Sequence, residues 1–454
     1  MSIETFPVDP NKEFRTDTAT PEYWYEERRG RYWHQNRAGV WVDKSEAQLR
    51  RWLKQQGKSP VVNVKAGETL SEIEEMLIES ESEKRVFYAG PLAGWPSGTH
   101  EMDGGLVLVT AQPKLLDPAP GEWPVLGELL ENLLVDEESQ VDQRPQFYGW
   151  LKHTLESLYN AWWSRGLCMV LAGDPECGKS LLVDVVKVLM GGRCAKPYRY
   201  MIGQDGFNEE MFEAPLLIID DENADTGIKA RRHFSAEIKQ IVANSTGRCR
   251  GMHQKAKTLQ PLWRIMVCVN MEPDNLLVLP PVDDDIADKL MLLKAYKRPM
   301  PMPVRTQAEQ RVFWERLERE MPSFVHWLLN DHDIDEDLGG RFGIKAWHHP
   351  EILRVLDEMS PFMRLHQLIE QAILGKQACW SGTPTELEQE LKREDNGLAK
   401  DERGWVPQPA WLGRHLERLY RRFGASRYDQ VRRGDKRVWT IFREGYVPER
   451  QDEE

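Results

Sequence analysis

The run Gly173-Asp174-Pro175-Glu176-Cys177-Gly178-Lys179-Ser180 constrains this chain more than any other segment. It satisfies the phosphate-loop pattern GxxxxGK[ST]. The residue types answer a physical demand. Gly173 and Gly178 let the backbone turn tightly, so that its N–H groups face phosphate oxygens, and Lys179 brings a positive charge to the β/γ-phosphates. Ser180 offers a hydroxyl to Mg²⁺. The flanks agree with this reading. Residues 167–171 (LCMVL) read as a buried strand, and Leu181 opens an apolar helix over 181–190 whose N-terminus faces the anion. The segment predicts an α/β fold that binds ATP with Mg²⁺ through Gly173, Asp174, Pro175, Glu176, Cys177, Gly178, Lys179, Ser180 and Leu181.

Two further strands end in polar residues. Residues 216–219 (LLII) run into Asp220-Asp221-Glu222. An acid at a strand tip can hold Mg²⁺, and its neighbour can orient or deprotonate the attacking water. Two registers are open: Asp220 serves the metal and Asp221 the water, or the pair is Asp221 and Glu222. A solvated acidic turn is the plainer alternative. Residues 264–269 (RIMVCV) end in Asn270, an amide placed to position a lytic water or simply to start a turn. Between these strands lies the basic run 248–257 (RCRGMHQKAK), with the shape of a hairpin. Projecting into a channel, it would grip a nucleic-acid backbone by charge. A solvated basic loop is the competing reading.

The chain carries net charge −13 over 454 residues, which argues against a protein coated by nucleic acid, but local patches depart from the mean. Residues 411–450 hold eleven Lys/Arg against five Asp/Glu. The six cysteines, Cys168, Cys177, Cys194, Cys249, Cys268 and Cys379, show no CxxC spacing. That predicts reduced thiols in a cytoplasmic protein and no zinc site. No apolar run is long enough to span a membrane, and the first residues lack the pattern of a signal peptide.

Composition and periodicity suggest four segments. Residues 1–142 read as an α+β accessory domain, irregular over the first twenty. A strand, a turn at Asn36–Gly39 and a second strand follow, then helices near 46–57 and 69–78, and strands near 85–88 and 105–110. Trp33 and Trp41 could stack on bases, but filling one face of a sheet is the commoner use. Residues 143–305 hold the phosphate-loop domain, and residues 306–378 read as a helical lid or linker. Residues 379–454 run helix, helix, basic hairpin with a turn at Gly434-Asp435, the order of a winged helix. Arg432, Arg433 and Arg437 are its candidate DNA contacts, although such domains also bind proteins.

The order GDPECGKS, LLIIDDE, basic hairpin, PLWRIMVCVN resembles a superfamily 3 helicase, and within it the poxvirus-type primase–helicase branch of phages, plasmids and mobile elements. The resemblance covers residues 165–295. It implies an AAA+ ring, usually hexameric, with ATP bound between subunits and movement on single-stranded DNA in a bacterial host cytoplasm. It gives Lys179 and Ser180 the phosphate and Mg²⁺ roles, the cluster Asp220, Asp221 and Glu222 the metal and water roles, and Asn270 the sensor role. His253, Lys255 and, by its place in the basic run, Lys257 become the channel contacts to DNA, and Arg165 matches a position that reaches the neighbour's nucleotide. One departure stands out: residues 271–288 contain no Arg or Lys where the family carries an arginine finger. Lys289 is the first candidate, and lysine cannot fork across two phosphate oxygens. Arg264, Arg248 or Arg165 could supply the contact instead. Three functions follow in order: a replicative helicase whose winged helix docks origin duplex DNA or a partner; a non-unwinding ATPase acting as initiator, loader or defence motor, which binds DNA mainly through the winged helix; and a small-metabolite kinase, which would need an arginine-rich lid but neither hairpin nor wing.

Overall fold

The computed structural model describes residues 23–64, 67, 69–220, 227–252, 255–280, 282 and 285–446. The chain opens with β1 (Trp24–Glu26), β2 (Arg31–Gln35) and β3 (Trp41–Lys44), an antiparallel meander joined along its far edge by β4 (Arg85–Val86). Asn36 makes the β2–β3 turn: its side-chain oxygen accepts from the N–H groups of Ala38 (2.9 Å) and Val40 (3.0 Å), and Gly39 takes φ +73°. Helices α1 (Glu46–Gln55) and α2 (Glu72–Ser82) start at Ser45 and Ser71, each closed by a capping box. Trp24, Trp33 and Trp41 pack on Val86, Ala89 and Leu108. The Trp33 indole N–H donates to Glu26 (3.2 Å) and that of Trp41 to Ser97 (3.0 Å). These tryptophans therefore build the sheet face, and the N–H groups of Trp33 and Trp41 are satisfied from within. A second small sheet follows from β5 (Tyr88–Gly90), β6 (Gly98–Met102) and β7 (Gly105–Val109).

Helix α3 (Pro124–Leu134), the short hairpin β8 (Val135–Asp136)/β9 (Val141–Asp142) and α4 (Arg144–Tyr159) lead into a parallel sheet. Its strands are β10 (Cys168–Gly173), β11 (Cys194–Ala195), β12 (Leu216–Asp220), β15 (Arg264–Asn270) and β16 (Leu290–Ala295), in the order β11-β12-β15-β10-β16. All four pairings are parallel. The strand interiors are almost wholly apolar, as sheets covered on both faces require, with polar residues at or near the strand ends. Helix α5 (Lys179–Leu189) carries the chain from β10 to the far edge at β11; the short helices α6 (Tyr198–Met201) and α7 (Glu209–Glu213) precede β12, and α8 (Ile228–Ala243) follows it. The antiparallel hairpin β13 (Gly247–Cys249)/β14 (Lys257–Leu259) and the helical turn α9 (Pro273–Leu276) flank β15.

The sheet recruits more chain than residues 143–305. Leu133, at the end of α3, lies under Gly178, and Gln143 staples the α3–α4 junction to β16: its amide accepts from the Lys294 N–H (2.8 Å) and donates to the Lys294 carbonyl (2.9 Å). Helix α10 (Gln307–His326) returns to α3, where the buried Glu320 caps the Leu126 N–H (2.8 Å). The expected boundary at 142/143 thus falls inside a packed element pair. After a two-stranded ladder, β17 (Gly339–Gly340)/β18 (Gly343–Ile344), the contacts divide the chain between His349 and Pro350, within the segment expected as a linker.

The second unit holds α11 (Pro350–Glu358), α12 (Pro361–Ile369), β19 (Cys379–Gly382), α13 (Pro384–Lys392), α14 (Lys400–Trp405), α15 (Pro409–Phe423), β20 (Tyr428–Arg433) and β21 (Lys436–Phe442). Its sheet order is β19-β21-β20. Leu365, Leu368 and Ile369 of α12 enter one core with Leu387, Leu412, Leu416 and Trp439. That shared core is why the unit starts before residue 379. Gly434-Asp435 is the β20–β21 turn, with Gly434 at φ +61°. No helix among the described residues is long and apolar enough to cross a membrane.

Candidate nucleotide and nucleic-acid site

Residues 173–180 leave the end of β10 and enter α5. Glu176 (φ +60°) and Gly178 (φ +105°) turn the loop back on itself. A Cβ at Gly173 would sit 2.6 Å from the Ala295 carbonyl oxygen, so only glycine lets β10 and β16 end side by side here. Lys179 is buried, and its ammonium donates to the carbonyls of Gly173 (2.9 Å) and Asp174 (2.8 Å) and to the Asn270 side chain (3.0 Å). Ser180 is exposed beside it at the start of α5. The loop and the N-terminus of α5 lie at the C-terminal end of β10, where parallel α/β sheets bind their ligands.

The register explains why Asn270 reaches the loop. Gly173 is level with Asn270 on one side and Ala295 on the other, because β15 lies directly against β10. Asp220 ends β12, the next strand out, level with Cys268 and two residues short of Asn270. Asp221 and Glu222 lie outside the described residues. Lys297, just beyond β16, reaches the loop as well, with Nζ 3.3 Å from the Pro175 carbonyl and 3.8 Å from the Glu176 carboxylate. No motif marks it; only the position of the fifth strand does.

The candidate finger residues Arg165, Arg264 and Lys289 sit at the opposite end of the strands. Cys168 is level with Leu290, so Arg165 and Lys289 flank the strand starts, roughly 17 Å from the loop at the rise of a strand. Arg165 is exposed there. Lys289 Nζ is held by Asp288 (2.5 Å) and the Asp285 carbonyl (2.9 Å). Arg264 is buried and donates to the Ser164 hydroxyl (2.7 Å) and the Trp263 carbonyl (2.9 Å); burial pulls its pKa down to about 10. Its guanidinium is engaged inside the fold.

The basic run does form a hairpin, and its cations divide by position. Lys255 is exposed, as are Arg248 and Arg250. Lys257 is not: it lies buried over the Tyr88 ring (4.1 Å) and pairs with Glu209 (3.3 Å). The expectation that Lys257 contacts DNA is therefore corrected, because a phosphate could reach it only by opening the core. His253 lies outside the described residues. Asn208, buried, stitches the hairpin to the preceding segment: its side chain donates to the Arg248 carbonyl (3.0 Å) and accepts from the Arg250 N–H (2.7 Å). In the second unit Arg432 and Arg433 are exposed near the hairpin tip, while Arg437 pairs with Glu417 (2.9 Å). Among the described residues no group of three or more His, Cys, Asp or Glu is placed to hold a metal.

A family described as of unknown function, DUF5906, matches residues 171–285, the stretch from β10 to just short of β16. No curated protein matches the chain. Among solved structures it is similar to the NrS-1 C-terminal region: one structure at 12% identity and TM-score 0.54, and another at 13% identity and TM-score 0.54. Each alignment covers 93% of this chain and 96% of that chain. At such identity the likeness is one of fold, and it runs through both units.

Proposed function

We propose that this chain is an ATP hydrolase that moves on single-stranded DNA, a helicase for replication of a phage or mobile element, built as an AAA+ core with a C-terminal winged helix and working as a hexameric ring. The observation that carries this reading is the Lys179–Asn270 contact at 3.0 Å, which joins the phosphate loop to a polar strand tip 91 residues away. The likeness in fold to the NrS-1 C-terminal region supports it.

The residues fit ATP with a divalent cation. Phosphate oxygens would take the places of the Gly173 and Asp174 carbonyls around the Lys179 ammonium, and the α5 N-terminus would receive the same charge. Ser180 and Asp220 would hold Mg²⁺, which when bound neutralises charge on the transferred phosphoryl group. Asn270, freed from part of its bond to Lys179, would orient the attacking water. Coupling to DNA would run through Arg248, Arg250 and Lys255. The winged helix, with Arg432 and Arg433 on its wing, would dock duplex DNA.

One observation favours a second reading. Lys289 is tied to Asp288 and Arg264 is buried, which leaves exposed Arg165 and Arg248 as trans contacts. A ring without a finger would hydrolyse slowly and act as an initiator or loader. ATP hydrolysis measured with and without single-stranded DNA, over a range of protein concentration, separates the two. Strong stimulation that steepens with concentration is expected for the helicase. Weak turnover indifferent to DNA would overturn it in favour of the loader.

A further inference from the structure

We propose that Arg28, on the turn between β1 and β2, is part of the nucleic-acid track, so that the N-terminal sheet supplies a phosphate contact to the hairpin surface. The inference rests on the reading of the hairpin as a grip on single-stranded DNA. Arg28 donates to the Lys255 carbonyl (3.1 Å) across 227 residues of sequence. One of its five donors is used there; the rest of the guanidinium is exposed. Its neighbour Arg29 pairs with Glu209 (3.4 Å), the same carboxylate that holds Lys257, so the base of the hairpin is braced on the β1–β2 turn.

The turn and hairpin together gather exposed cations. Arg28, Arg248, Arg250 and Lys255 have no carboxylate in ion-pair range among the described residues. The nearby acids are engaged elsewhere: Glu27 with Arg85, Glu209 with Arg29 and Lys257, and Asp205 with the Phe207 N–H (3.0 Å). Clustered like charges repel, and in a chain of net charge −13 carboxylates were available to relieve them. A cleft of about 670 Å³ opens beside the hairpin cations, lined by Tyr200, Gly206, Arg248, Arg250, Lys255 and Ala256, and Arg28 adjoins it through the Lys255 carbonyl. Unpaired cations answer a phosphate backbone, and the half-buried Tyr200 in the cleft wall supplies an aromatic side chain beside them, the combination of charge and aromatic surface that single strands use.

The test is binding of a labelled oligo-deoxythymidine to the full chain at several salt concentrations. Arg28→Ala should weaken binding about fivefold at low salt and reduce the slope of log affinity against log salt by about 0.7, one phosphate's share for a single strand. Arg28→Lys should keep most of both, and an unchanged melting temperature certifies the fold. If Arg28→Ala binds like the parent while Lys255→Ala is weakened, Arg28 is only a backbone brace and the proposal is wrong. If the parent chain does not bind the oligonucleotide, the hairpin reading fails and this inference with it.

Discussion

Lys179 is the residue on which the proposed nucleotide site turns. Its ammonium is buried against two carbonyls and an amide, all neutral acceptors, so a polyanion offers it a better partner than the loop itself does. Lys179→Ala should therefore abolish measurable binding of a fluorescent ATP analogue; affinity within a factor of about three of the parent would remove the phosphate-loop assignment. Gly173 and Gly178 matter for shape rather than charge. Gly178 holds φ +105°, a conformation that side chains disfavour, with Leu133 and Met300 packed close against it.

At the scale of elements, the hairpin separates two lysines that look alike in sequence. Lys257 is a buried cation shared between Tyr88 and Glu209, and Lys255 is a solvent-facing one. Lys257→Ala should destabilise the chain by about 1–3 kcal/mol, the cost of leaving buried polar partners unmatched, and lower the melting temperature by about 2–4 °C per kcal/mol. Lys255→Ala should leave the melting temperature in place and remove stimulation of ATP hydrolysis by single-stranded DNA. Equal melting temperatures for the two variants would contradict the difference in burial. On the β20–β21 hairpin, Arg432 and Arg433 are exposed, whereas Arg437 is engaged by Glu417. Charge reversal of Arg432 and Arg433 to Glu should weaken duplex binding in a gel-shift titration and flatten its salt dependence; an unchanged shift would make that hairpin structural only.

At the scale of the whole molecule, burial of histidines links stability to pH. His153 stacks over Gly343 and donates to the Arg165 carbonyl (2.7 Å); burial first, then the Arg264 cation, pulls its pKa down to about 4. In the unfolded chain the same ring titrates near 6.5. Above that value both states are neutral and the contribution is complete. Between 6.5 and 4 only the unfolded chain takes up the proton, so stability falls as pH falls, by roughly 3 kcal/mol over the window. His153→Gln should flatten this part of the pH profile of denaturant unfolding for the first unit. A profile as steep as the parent's would show that the ring does not stay neutral in the fold. His415 in the second unit is lowered to about 4 for a similar reason, burial first and the Arg418 cation second. Acid therefore weakens both units.

The strand–loop–helix around GDPECGKS, the neighbouring apolar strands and their polar tips were legible because they are local: strand β10 and helix α5 begin and end within a few residues of the expected positions. The hairpin 247–259 and the Gly434-Asp435 turn were legible for the same reason. What the tertiary structure decided is pairing across distance. The strand order brings Asn270 onto Lys179, Glu209 buries Lys257 from 48 residues away, and Arg28 meets Lys255 from the other end of the unit. Charge and periodicity specify an element and its two faces. Which face is covered, and so which lysine is a brace and which is free to meet a ligand, depends on the neighbour that packing supplies.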